Sequence, residues 1–204
     1  MQRVRTHDGV PLGEHIAAVA SELFYKDGIH VVGVDRVAAE AEVTKRTLYR
    51  YYGSKDDLIA AALRKSPNIA FPREGTPRER IAGAFRAMAE MLRVEAYRGC
   101  PYINAAAELT NPKHPARALI EELTTRRREW FAKRARELGA REPEMLAEQL
   151  DVLFDGALAN ATKRRVDLPA IAALAAAEAL LDAATPAPAR NAARSARVPR
   201  RRAS

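Results

Sequence analysis

An all-α fold is expected, and three observations point to it. Apolar side chains recur at helical spacing, as in Ile81, Phe85, Met88 and Leu92. Most Pro and Gly residues sit where those runs stop. No segment alternates apolar and polar residues as a half-buried strand does. The order of the segments divides the 204 residues into three parts. These are an N-terminal three-helix helix-turn-helix domain at 10–66, a second helical domain at 76–184 and a tail at 185–204.

The first helix runs from about Leu12 to Asp27, burying Ile16, Ala20, Leu23 and Phe24, and Gly28 ends it. Two short helices follow within Val34 to Leu58. Val37, Ala38 and Ala41 share one face, Val43 breaks the period, and Thr47, Leu48 and Tyr51 open a new face. Two short apolar faces are buried only by meeting, so the chain turns sharply near Glu42. Thr44 is suited to cap the second helix. The next helix starts after Ser54 and ends near Lys65, before Ser66-Pro67-Asn68, and a loop reaches Gly75.

Thr76-Pro77-Arg78-Glu79 is a capping-box pattern with Pro at the first helical position. It starts the helix of Ile81, Phe85, Met88 and Leu92. Gly99-Cys100-Pro101 breaks the chain, and a short helix from Tyr102 to Leu109 stops before Asn111-Pro112. A long helix from about Pro115 carries Leu119, Leu123, Trp130 and Leu138. Another starts near Pro143 with Met145, Leu146, Leu150, Phe154 and Leu158, and the last runs from about Leu168 to Ala184. Gly156 lies mid-helix, where Gly costs about 1 kcal/mol against Ala, so a closely approaching backbone would explain it.

The second helix of the turn motif carries Thr44, Lys45, Arg46, Thr47, Tyr49, Arg50 and Tyr51 and no acid, and Lys55 follows at the next helix start. Cations neutralise phosphates, and hydroxyls fix register on a duplex. Thr44, Lys45, Arg46 and Thr47 lead the helix, and Lys55 brings its charge to helix-start N–H groups that suit a phosphate. Arg3 and Arg5 head a terminus that reads as a minor-groove arm or, with more reason, as a free solvated end.

The net charge is +8, and Arg190, Arg194, Arg197, Arg200, Arg201 and Arg202 of the acid-free tail supply most of it. The tail has no apolar period and reads as disordered, either drawn to DNA nonspecifically or simply solvated. With no apolar run near 18 residues and no apolar leader, neither a membrane span nor secretion is expected. The single cysteine excludes an intramolecular disulfide and fits a cytoplasmic protein. Enzyme chemistry is not expected, because Cys100 would need His7, His15, His30 or His114, which are scattered. No nucleophile elbow or phosphate-cradling loop is present, and no cofactor or metal site is expected.

The motif resembles the DNA-binding domain of TetR-type transcriptional regulators. The matching positions are Val34, Val37-Ala38, Ala41-Glu42-Val43-Thr44, Thr47-Leu48-Tyr49, Tyr51-Tyr52 and Ser54-Lys55-Asp56-Asp57-Leu58. The match implies groove contacts by Thr44, Lys45, Arg46 and Thr47, phosphate contacts by Tyr49 and Lys55, and either role for Tyr51, with Arg50 adding charge. Two positions depart from the pattern. Glu42 stands where the family has Gly, which takes φ > 0 without strain. Gly33 stands where Ser or Thr often caps the first helix of the motif. The resemblance implies a bacterial, nucleoid-associated, homodimeric repressor of a double-stranded DNA operator, paired through its last two helices. It implies release by a small-molecule effector bound in the C-terminal domain.

Candidate cavity-lining residues are Phe85, Met88, Met91, Leu92, Tyr102, Ile103, Asn104, Glu108, Trp130 and Phe131; the same spacing suits an ordinary core. Cys100 is a second candidate sensor, since helix-start N–H groups favour a thiolate and some relatives carry Gly-Cys there and respond to electrophiles. A helix-turn-helix protein without an inducer shares the same motif.

Overall fold

The computed structural model describes residues 6–94, 97–164 and 167–185. Nine α-helices occupy them: α1 (Leu12–Asp27), α2 (Val34–Glu40), α3 (Lys45–Tyr51), α4 (Lys55–Lys65), α5 (Pro77–Leu92), α6 (Pro101–Glu108), α7 (Pro115–Glu137), α8 (Pro143–Arg164) and α9 (Leu168–Ala184). The arginine-rich tail from 186 onward, and Arg3 and Arg5, lie outside the described residues.

The caps anticipated from sequence are made. Thr44 Oγ1 accepts from Thr47 N at 3.1 Å, and Ser54 Oγ accepts from Asp57 N at 3.1 Å. At Thr76 both halves of the capping box form, with Glu79 Oε2 accepting from Thr76 N at 2.7 Å. One cap was not anticipated: His114 Nδ1 accepts from Ala116 N at 3.1 Å and starts α7. That bond requires an unprotonated Nδ1 on His114.

A correction concerns the N-terminus. Thr6–His7 (β1) and Val10–Pro11 (β2) pair antiparallel, Thr6 opposite Pro11 and His7 opposite Val10. Asp8 (φ 48°) and Gly9 (φ 81°) make the two-residue turn, as Asp-Gly does in hairpins. The His7 ring stacks on the His15 ring of α1 at 4.0 Å, which ties the ribbon to the first helix.

Two cores form. The first gathers Ile16, Ala20, Phe24, Val37, Leu48 and Leu58 from α1–α4. It does not stop at the end of α4: Ala105 and Leu109 at α6, and Ala116 and Leu119 of α7, are part of it. The second joins α5, the C-terminal half of α7, α8 and α9 around Phe85, Phe131, Phe154, Leu150 and Leu181. Helix α7 therefore spans both cores, and α6 packs between the cavity described below and the N-terminal helices.

Candidate nucleic-acid interface and effector cavity

Leu48 is fully buried and anchors α3, so the side chains on its other faces project outward. Thr44, Lys45, Arg46, Tyr49, Arg50 and Tyr51 are exposed, and Thr47 is half-buried. Tyr52 O–H donates to Gly13 O of α1 at 2.6 Å and holds the end of α3 in place. A Cβ at Gly13 would meet Tyr51 Cδ1 at 3.0 Å, so any larger residue there would need the Tyr51 ring to shift by a few tenths of an ångström. The candidate contacts thus share one solvent-facing surface whose backbone is fixed by Leu48 and Tyr52.

The charges on that surface are not equally available. Lys45 Nζ lies 2.9 Å from Asp35 Oδ1, and the hydrogen bond to Asp35 raises the ammonium's pKa. Lys55 is half-buried, and its Nζ donates to Ile29 O at 2.7 Å. It ties α4 to the turn after α1, and two further N–H donors of the ammonium remain for the phosphate expected from sequence. Glu42 takes φ 53°, so the turn keeps the left-handed geometry that Gly would relax into. Its carboxylate is exposed, 3.7 Å from His7 Nε2.

Beneath the N-terminal helices lies a cavity of about 760 Å³, a size typical of small-molecule sites. Five of the residues singled out from sequence are on its wall: Met91, Cys100, Tyr102, Ile103 and Trp130. Phe85, Met88, Leu92 and Phe131 are not; they are buried in the second core. Asn104 and Glu108 face a separate pocket of about 170 Å³ between α1, α4 and α6. There Asn104 Nδ2 donates to Arg98 O at 3.0 Å, and Glu108 Oε2 accepts from Ile29 N at 2.9 Å and His30 N at 3.2 Å.

Several wall residues were missed. Tyr25 comes from α1, Ile69 and Phe71 from the loop before α5, Arg127 from α7, and Phe154 and Asp155 from α8. The apolar pair Ile69 and Phe71 in a predicted loop was a usable signal, since loops seldom carry large side chains without a place to bury them. Asp151 and Asp155, one turn apart on an otherwise apolar helix face, were another. Arg127 Nε donates to Asp151 Oδ1, and its Nη2 lies 2.8 Å from Asp155 Oδ1. Burial pushes the Asp155 carboxyl up; Arg127 opposes this and Asp151 adds to it.

Cys100 differs from expectation in its chemistry. It stands at the N-terminus of α6 on the cavity wall. Burial nevertheless pushes the thiol up, and the N–H groups of Ile103 and Tyr102 offset this only in part. A thiol so held is mostly protonated at neutral pH and a weak nucleophile. Among the described residues no group of three His, Cys, Asp or Glu side chains could hold a metal ion, and no helix is long and apolar enough to cross a membrane.

Comparison with known proteins gives the geometry its context. The family profile described as bacterial regulatory proteins, tetR family, matches residues 16–62. A solved structure from Streptomyces avermitilis, described as a candidate TetR transcriptional regulator, is 32% identical with a TM-score of 0.78. That alignment covers 85% of this chain and 97% of that one. A TetR-family transcriptional regulator from Streptomyces coelicolor is 27% identical with a TM-score of 0.75, covering 86% of this chain and 96% of that one. An HTH-type transcriptional repressor, also from Streptomyces coelicolor, is 47% identical over 49 residues, 24% of each chain. The helix-turn-helix, the helical domain behind it and a near full-length relative agree: the chain belongs to the TetR family of DNA-binding transcriptional regulators.

Proposed function

We propose that the chain is a homodimeric repressor, with a DNA-binding domain at 10–66 and an effector and dimerisation domain at 76–184, which leaves its operator when a small molecule fills the large cavity. The observation that carries this reading is the position of α6. Pro101, Tyr102 and Ile103 line the cavity, while Glu108 at the other end of the same helix holds the backbone of Ile29 and His30. Tyr102 O–H also reaches Leu63 O at 3.3 Å and Ser66 O at 3.4 Å at the end of α4. A ligand that displaces α6 therefore pulls on the C-terminal ends of α1 and α4 in the domain that carries α3. An ångström of movement there changes the spacing of two recognition helices, and only the spacing that fits successive major grooves binds well.

In this reading Thr44, Lys45, Arg46, Thr47, Tyr49, Arg50 and Tyr51 meet the duplex, and Arg46 is the best placed to read a guanine edge. Lys55 ties the domain through Ile29 O and offers its remaining N–H donors to a phosphate. Dimerisation is supported by α8 and α9, where Met145, Val152, Leu168 and Ile171 are each at least 50% exposed. A Cβ at Gly156 would meet nothing within 4 Å, so no backbone of this chain makes the close approach that the sequence led one to expect there. Repression is the reading that the Streptomyces coelicolor repressor's likeness favours.

The test uses Trp130, the only tryptophan, which stands in the cavity wall. Compounds are sorted by whether they quench its fluorescence, and operator binding is then measured with each. The proposal requires that quenching compounds weaken operator binding. If compounds that occupy the cavity leave DNA affinity unchanged, the release mechanism is wrong.

A further inference from the structure

The chemistry of the cavity wall narrows the class of molecule it takes. Most of the wall is apolar and aromatic: Phe71 packs on Trp130 at 4.7 Å and edge-on to Phe154 at 5.8 Å, with Ile69 and Met91 beside them. The charged groups at the wall, among the described residues, are Arg126, Arg127 and Asp155. Arg126 is neutralised by Glu122, 2.7 Å away. Arg127 is shared between two carboxylates, Asp151 and Asp155. The cluster therefore carries one negative charge in excess.

The two carboxylates are not equivalent. The Asp151 side chain is 8% exposed and lies behind Arg127, whereas that of Asp155 is 40% exposed and faces the cavity. The surplus charge is thus presented to the ligand space. The tyrosines add to this. Tyr97 O–H donates outward to Leu158 O at 3.1 Å, and Tyr102 O–H donates to α4, so the lone pairs of both phenol oxygens are left as acceptors. Tyr25 is different, since its oxygen already accepts from Arg98 N at 2.7 Å.

We propose that the cavity takes a lipophilic cation: an apolar or aromatic body with a quaternary or protonated nitrogen seated against Asp155. The inference rests on the reading of the cavity as the effector site. An anion would have to draw Arg127 away from its partners and leave buried carboxylates unpaired, which is costly. An uncharged body would cover Asp155 without supplying a partner for its charge. A cation restores the balance and meets the faces of the aromatic wall. The net charge of the whole chain, +8, works the other way, so a preference for cations has a local cause.

The experiment titrates the purified chain with tetraphenylphosphonium and tetraphenylborate, ions of nearly equal size and opposite charge, and with uncharged Nile red, reading Trp130 fluorescence. The expected result is a preference for the phosphonium of about tenfold or more. Asp155→Asn should weaken phosphonium binding about tenfold while Nile red binds as tightly as before or tighter, and Asp155→Glu should keep the preference. Circular dichroism confirms that both variants fold. If the borate or Nile red binds as tightly as the phosphonium, or if Asp155→Asn changes nothing, the ligand class is wrong while the cavity remains a binding site. If no probe perturbs Trp130, both the ligand class and the reading of the cavity fail.

Discussion

At the scale of single residues, Glu42 illustrates how a local departure leaves the motif intact. A Glu in place of the usual Gly requires either a different turn or a strained one. At φ 53° it is the strained one. An L-residue with a Cβ pays about 1 kcal/mol for that conformation. Glu42→Gly should therefore raise the melting temperature, by about 2–4 °C, and bind DNA more tightly because an acid leaves the interface. A lower melting temperature would show that Glu42 makes a compensating contact. Asp155 gives a pH-dependent prediction. Its folded-state pKa is raised, so the folded chain holds that proton to higher pH than the unfolded chain does. Stability is then lost as pH rises from the ordinary carboxylate value through the raised one. Asp155→Asn should melt higher than wild type at pH 7 and lose the advantage at about pH 3.5. Equal melting temperatures at both pH values would contradict that cause.

At the scale of elements, α6 is the part with most to lose from one substitution. Glu108→Gln keeps the shape and removes the charge that accepts from Ile29 and His30 N–H. Hydrogen bonds to a charged acceptor contribute about 1.5–3 kcal/mol, and part of that should be lost in thermal melting. Operator binding should also respond less to compounds that quench Trp130. A variant with unchanged melting and full release would remove α6 from the mechanism.

Much of this architecture was legible beforehand. The starts of α3, α4 and α5 follow from Thr44, Ser54 and the Thr76–Glu79 box, because a cap is a local hydrogen bond between neighbours in sequence. The β1–β2 ribbon was not found, although Asp8-Gly9 is a strong turn signal. Two residues on each side are too few to show alternation. The cavity was half legible for a different reason. Helical spacing tells which face of α5 or α7 is covered, but not whether its neighbour is a side chain or empty space. Phe131 went into the core and the adjacent Trp130 onto the wall.

At the scale of the whole molecule, the proposed function depends on what two copies do together. Ile171 and Val152 are half exposed or more on α9 and α8. Ile171→Asp with Val152→Arg should give a folded monomer by light scattering, with operator affinity reduced at least tenfold because one recognition helix cannot bridge two half-sites. A dimer that survives both changes would place the interface elsewhere. The central claim is that α3 reads a specific site as part of such a pair. The most direct measurement is footprinting on the DNA flanking the chain's own gene across salt concentrations, with Arg46→Ala and Tyr49→Ala beside wild type. The account predicts a protected palindrome, weaker protection in both variants, and a relaxed base preference at the position that Arg46 reads. Protection that is sequence-blind and indifferent to both substitutions would contradict it.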